Sequence, residues 1–412
     1  MDKRELIKQY FSDHKDQIQE KIINLTTEMV AEKTVNVQTS QLSEHPYLKA
    51  RGEEYKVAKI VKDEFDKADI AYDEYSRIPE RPNVIGHLGK NTNGISLFMA
   101  GHMDVVPAGD GWDSDPYKVI QKDGKLYGRG TSDNKGQIAS ILAAASILKE
   151  LGLDKEINGD LQIAALSDEE CCDPDGIDYG VHYLLEEKLI DPTYAVIPDI
   201  GEYMRSIDVA EKGGIKLQVT ATGKQAHGST PEKGINAINM MAEFIHNFKD
   251  FELDHTEHPL LGHPTVNVGV INGGAASNIV PGSCYVHIDM RTVPGITLDQ
   301  IEAEVKKYCD MVKDGNFKIE FISVSEPHSI DPDNDLVKLI QKHGEPILGF
   351  KPVPIGLGGG TFAKGLCLHG CKAVGWGIGN EDTMHVANEY IEIDQLMDFA
   401  QLTCLLALDL LS

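Results

Sequence analysis

Long apolar runs are missing from this chain: no stretch approaches the roughly 18 consecutive apolar residues that a membrane span requires, so a spanning protein is not expected. The first residues, MDKRELIKQYFSDHKDQIQEKIINL, set apolar positions at helical spacing among charges. They lack the short apolar core and small-residue cleavage site of a secretory signal. Basic charge is scarce as well. Against 65 Asp and Glu stand 39 Lys and Arg, a formal charge of -26, which repels phosphate backbones and anionic lipid. No nucleic acid and no membrane is therefore expected as a partner. Repeats, low-complexity tracts and Ser/Pro-rich linkers are absent, and so is the GxxxxGKS/T phosphate loop. Cysteine is sparse and odd in number: seven, including adjacent Cys171 and Cys172 and the CLHGC segment with Cys367 and Cys371. That usage suits reduced thiols in the cytoplasm, and a CxxxC alone is more often an inert buried pair than a metal site.

What is present is an ordinary globular composition, 41% hydrophobic and 25% charged, in 412 residues. That length exceeds what one core usually supports, so two domains are expected. From about Ile70 to Ile200, short apolar strands (AYDEYSRI, NVIGHL, ISLFMAGH, DLQIAALS, YAVIPDI) alternate with helical stretches such as NKGQIASILAAASILKELG. Such alternation argues for an α/β sheet covered by helices. After Glu211 the style changes. GIKLQVTATGKQAHGS, TVNVGVING, SCYVHIDMR and FKIEFISVSE alternate with a period near two, separated by helical stretches around Asn236–Phe248 and Leu298–Val312. A helical DLVKLIQKHGEPILG and a strand KAVGWGIG then return to the first style. The expectation is a discontinuous α/β catalytic domain, 1–211 and 326–412, with a mixed central sheet and helices on both faces. An α+β lid is inserted at 212–325.

Several strands of the first style end in acidic or imidazole groups: His102 and Asp104; Asp168, Glu169 and Glu170; and Asp199. Asp133 in LYGRGTSDNKG stands just ahead of the long helix, and His385 in GNEDTMHVANE follows the last strand. Alone, an HxD means little, an EE pair is a solvated loop and Asp133 is a helix cap. Together at the carboxyl ends of the strands of one sheet, they should converge. Carboxylates gathered in one cleft must either hold protons or be neutralised by cations. Imidazoles among them favour a transition metal such as zinc, manganese or cobalt over Ca²⁺ or Mg²⁺.

HMDVVPAGDGWDSDP, GRGTSDNKG, SDEE, KQAHGSTPEKGINAI, SNIVPG and GNEDTMHVANE together resemble, in this order, the co-catalytic metallopeptidases. That family includes carboxypeptidase G, aminoacylase, carnosine dipeptidase, acetylornithine deacetylase and succinyl-diaminopimelate desuccinylase. The resemblance implies a zinc-peptidase fold and two divalent metal ions, with zinc the leading candidate. It makes Asp133 the shared carboxylate, His102 and Asp199 partners of one ion, and Glu170 and His385 partners of the other. It casts Asp104 as orienter of His102, Glu169 as general base toward a water shared by the metals, and the Asp133–Asn134 peptide as cis. In the lid it implies that His227 polarises the substrate carbonyl. Asn278, Arg291 and the glycine-rich Gly359, Gly360 and Thr361 would hold the substrate. Arg suits a carboxylate through its planar fork, although a surface ion pair explains Arg291 equally. Asp199 and Phe362, where deacylase relatives often carry Glu and Asp, tilt the reading toward a dipeptidase. The substrate is then a small peptide with a free carboxylate. An N-acyl amino acid deacylase is the alternative, and a non-catalytic binding protein a second one. A homodimer through the lid is also implied. Trp112 and Tyr117 line the cleft or simply pack.

Overall fold

The computed structural model describes residues 2–38, 41, 51–171, 176–200, 202–313 and 315–412. They divide into two compact units: Met1–Val209 with Ile330–Ile355 and Thr361–Ser412, and Ala210–Ser329 with Gly356–Gly360. The glycine-rich segment was expected with the first unit but groups with the second. Gly356 lies against Leu260 and Leu261, and the Leu357 carbonyl accepts from the Lys212 amide at 2.9 Å.

In the first unit, four parallel strands are neighbours in the order Asp160–Leu166, Ser96–His102, Tyr194–Ile197 and Lys372–Gly375. Asn83–Leu88 and then Ala71–Tyr75 extend one side antiparallel, and Ser206–Glu211 extends the other. Every residue of Ser96–His102 and Tyr194–Ile197 is buried, as expected where helices cover both faces of a sheet. On one face Phe98, Ala100, Ala164 and Leu166 pack with Val181, Leu184, Phe362 and Leu366 of two short helices. The other face meets the helices Lys135–Glu150 and Ile393–Leu411. Each Val, Leu or Phe among them contributes about 1.5–3 kcal/mol on burial. The fit at Gly101 is tight enough that a Cβ would sit 2.3 Å from Asn134 Oδ1. A side chain there would push the long helix off the sheet just where the site begins.

Two elements escape the sequence patterning. The hairpin Ile120–Lys122/Lys125–Tyr127 gains a third strand, Tyr390–Glu392, from the far end of the chain. The helix Ile393–Leu411 is apolar almost all round and so shows no stripe. No helix among the described residues is long and apolar enough to cross a membrane. Cys172 lies outside the described residues, whereas Cys371 is buried and Cys367 Sγ donates to the Ala373 carbonyl at 3.3 Å.

The second unit is a four-stranded antiparallel sheet in the order Thr265–Gly273, Ser283–Thr292, Gly213–Thr222, Phe317–Ser325. Strict alternation of burial along its two central strands presents Leu217, Val219, Val286 and Ile288 to one side. There they pack with Met241 and Phe244 of Ala237–Phe248 and with Ile301 and Val305 of Leu298–Asp310. Asn236 caps the first of these helices, and Thr297 with Gln300 forms a capping box on the second.

Candidate metal centre

The ends of the four parallel strands deliver the acidic and imidazole groups to one place. His102 closes its strand level with Leu166 of the neighbour. Asp168, left-handed at φ 64, turns the chain so that Glu169 and Glu170 follow. Asp199 comes two residues after Tyr194–Ile197, and His385 lies in the irregular segment beyond Lys372–Gly375. The Asp133–Asn134 peptide just before the long helix is cis.

Asp133 is the centre of the cluster. Its Oδ1 lies 2.8 Å from His102 Nε2 and its Oδ2 lies 3.0 Å from His385 Nε2. One carboxylate therefore faces two imidazoles with different oxygens. Glu170 Oε2 lies 3.0 Å from His385 Nε2, and Asp199 Oδ1 lies 3.5 Å from His102 Nε2. Three overlapping donor sets, each with its atoms within 4.8 Å of one another, result: His102–Asp133–Asp199, Asp133–Glu170–His385 and His102–Glu169–Glu170.

The electrostatics point the same way. Burial, then the Asp199 carboxylate, pushes the Glu169 carboxyl well above the ordinary range. Burial followed by the Asp133 charge pushes Glu170 up to about 8. Hydrogen bonds to Asp133 and then Glu170 raise His385 to about 10. Burial opposes the charge on Asp133, but its bonds to the two imidazoles outweigh that and hold it below the usual carboxylate range. Without a cation, the array keeps ionised groups only by holding protons elsewhere. Moreover, among the described residues Glu170 Oε1 is buried with no hydrogen-bond partner. Carboxylates and imidazoles around one shared Asp, with an orphaned buried oxygen, fit a pair of divalent transition-metal cations.

Residues behind the donors hold them. Asp104 was expected to orient His102, and His102 Nδ1 lies 3.0 Å from its backbone carbonyl and 3.5 Å from its Oδ1. The carboxylate is occupied elsewhere, accepting the Glu169 and Glu170 amides at 3.2 and 3.0 Å and the Asn36 amide at 2.8 Å. Asp104 thus positions the acidic pair as well as the imidazole. Asn134 Nδ2 donates to Pro198 O at 3.0 Å and to Asp199 Oδ1 at 3.3 Å. Asp168 is a clamp: its Oδ1 meets Arg81, Arg51 and Asn36, while Glu54 takes the other side of the fully buried Arg81. None of Asn36, Arg51, Glu54, Arg81 or Asn134 was read as functional. Their partners lie far away in sequence, and no spacing reveals them. Glu389, also unassigned, ends a quoted motif and is fully buried. Tyr117 packs with Val35, Val37 and Val105, and Trp112 lies under the Arg129 guanidinium, so packing accounts for both.

In the second unit, Ala226–His227 pairs with Ile279–Val280, which brings His227 beside Asn278. The Gly228 amide donates to the Asn278 carbonyl at 2.8 Å. His227 is exposed, and its Nδ1 accepts from the Ser229 amide at 3.1 Å, so in the neutral ring the proton sits on Nε2. Arg291 does not wait with a free fork. Its Nε and Nη2 already bond both oxygens of Asp289, at 2.9 and 3.3 Å. Gly359 and Gly360 are exposed, with nothing within 4 Å of a Cβ built at Gly359. Thr361 belongs to the first unit, where its hydroxyl caps the helix Phe362–Leu368.

Residues 98–409 match the model of peptidase family M20/M25/M40. The chain belongs to this family. An uncharacterized metallohydrolase of Methanococcus maripaludis is 30% identical over 93% of this chain and 98% of its own. Succinyl-diaminopimelate desuccinylase of Sulfurimonas denitrificans is 32% identical over 74% of this chain and 82% of its own. Among solved structures, aminopeptidase PepT of Bacillus cereus shares the fold, with a TM-score of 0.72, 23% identity, and 96% and 99% of the two chains covered. The M20/M25/M40 chain is an enzyme, a metallohydrolase of the peptidase and deacylase kind, and its family implies divalent metals.

Proposed function

We propose that this enzyme hydrolyses the amide bond of a dipeptide or small peptide bearing a free carboxylate, at a centre of two divalent cations. The observation that carries the reading is Asp133, whose two oxygens face His102 and His385 separately. His102, Asp133 and Asp199 would hold one cation and Asp133, Glu170 and His385 the other, with zinc the leading candidate and manganese or cobalt as alternatives. Cations bound there would supply Lewis acidity toward the scissile carbonyl and make water a better nucleophile near neutral pH. Glu169, desolvated and crowded by Asp199 and Glu170, is built to exchange a proton. It takes one from the attacking water and returns it to the leaving amine. His227 donates from Nε2 to the carbonyl oxygen as negative charge develops there. Asn278, Gly359, Gly360 and Thr361 line the substrate. Arg291 meets its carboxylate by exchanging Asp289 for it.

A second substrate reading, an N-acyl amino acid, is favoured by the desuccinylase among the relatives at 30% identity or more. Metal-reconstituted hydrolysis of a panel of dipeptides beside N-acetyl and N-succinyl amino acids decides between them. Faster dipeptide cleavage supports the first reading, and faster acyl release moves the enzyme to the second. We further propose a cytoplasmic homodimer. Seven cysteines, odd in number and scattered along the chain, suit a reducing compartment. The edge strand Thr265–Gly273 exposes Val270 and Ile271 beside an unpaired rim that a second copy can extend. A fully active monomer in sedimentation would contradict the dimer.

A further inference from the structure

Four residues beyond His385, the Glu389 side chain is completely buried. Its Oε1 accepts three backbone amides of one turn, from Gly130, Ser132 and Asp133, at 3.0, 2.9 and 3.1 Å. Its Oε2 takes Arg129 Nη1 at 2.6 Å, and its carbonyl accepts the Gly128 amide at 3.0 Å. Immediately after it, Tyr390, Ile391 and Glu392 pair antiparallel with Tyr127, Leu126 and Lys125. The segment bearing His385 is thus zipped along the segment bearing Asp133, and the Glu389 carboxylate is the pin at the end of the zip.

The two halves of the cluster are anchored differently. His102 closes a buried strand with its ring on the Asp104 carbonyl, and Asp199 leaves a buried strand with its carboxylate on Asn134. His385 has no such support. It is left-handed at φ 61 and its side chain is 56% exposed. Beside it the segment is tied to Asp113 by the half-buried Asn388, and then comes Glu389.

We propose that Glu389 is a positioning residue that sets the Asp133–Glu170–His385 half of the centre. It does so by fixing the distance between the Asp133 turn and the His385 segment, leaving the His102–Asp199 half to the sheet. The inference rests on the two-cation reading above. A carboxylate in this place is required because three amides and a guanidinium converge on it, and an amide side chain offers one neutral oxygen for the same four donors. If Glu389 were merely a buried ion pair supporting the fold, its replacement would lower stability without distinguishing the two cations.

The test is calorimetric titration of the metal-stripped full chain with Zn²⁺, for the wild type, Glu389→Gln and Arg129→Lys, with thermal melts in parallel. In the wild type, two binding events are expected. Glu389→Gln should weaken one of them about 10–100-fold, the usual cost of losing an outer support of a metal ligand, and the other by much less, because only Asp133 is common to both. Arg129→Lys keeps the carboxylate and its three amides, so it should weaken the same event by less. That variant decides the matter if Glu389→Gln does not fold. Two wild-type events that both variants leave alone, or weaken equally, overturn the role of Glu389 and spare the two-cation reading. A wild type that binds one cation or none overturns that reading itself.

Discussion

The donors at the strand ends and the substrate contacts proposed for the second unit are built on opposite principles. His102, Asp104 and Asp133 are buried, and the donor cluster is backed by Asp104, Asn134, the Asp168 clamp and Glu389. His227, Asn278, Gly359 and Gly360 are exposed, and Arg291 is only half-buried and occupied by a neighbour. The difference teaches where precision is stored. A cation needs donors placed in advance, because crowded carboxylates repel until it arrives. A substrate carbonyl or carboxylate can be met by groups that order themselves around it.

The largest break between the two regions should come at Glu169. Glu169→Ala should lower kcat by about 10²–10⁴-fold in steady-state assays while two cations still bind, because its neighbours carry the donor atoms. Next, His227→Ala should cost about 10²–10³ in kcat with cation affinity untouched, which titration calorimetry checks. Retained activity in either variant would remove the corresponding role.

Cation affinity itself should depend on pH. Without a cation, Glu170 holds its proton up to about 8 and His385 up to about 10, and a cation must displace both. Affinity should therefore rise as pH rises from 6 toward 8, by about tenfold per pH unit for each proton displaced, with proton release visible in buffers of different ionisation enthalpy. The smallest effect belongs to Arg291. Arg291→Lys should raise KM about two- to fivefold, in keeping with a solvent-exposed ion pair, with kcat unchanged. A large loss of kcat would place Arg291 at the reacting centre instead.

Much of this architecture is legible in the residues. NVIGHL and TVNVGVING coincide with observed strands end to end, because apolar residues bounded by Gly, Asn or Pro leave little choice. The convergence of His102, Asp133, Glu170, Asp199 and His385 follows from strand direction and motif order together. What stayed hidden is what depends on contacts between distant positions. Arg81 meets Glu54 and Asp168 across 27 and 87 residues of chain, and nothing in its surroundings marks it as buried. Glu389 looked like the tail of a motif until its carboxylate was found beneath the Asp133 turn. Asp104 sits against His102 as expected, and its carboxylate has the further task of holding the Glu169 and Glu170 amides, which no spacing announces. Arg291 was read as a substrate contact or, equally, as a surface ion pair, and its bond to Asp289 two residues away is such a pair.

Everything proposed for the site turns on one carboxylate, Asp133, serving two cations at once. Metal content per chain, measured on the purified wild type and on Asp133→Ala after dialysis against a weak chelator, tests it most directly. Two divalent cations per wild-type chain and neither retained by the variant are expected. One cation in the wild type, or one kept by Asp133→Ala at undiminished affinity, would contradict it.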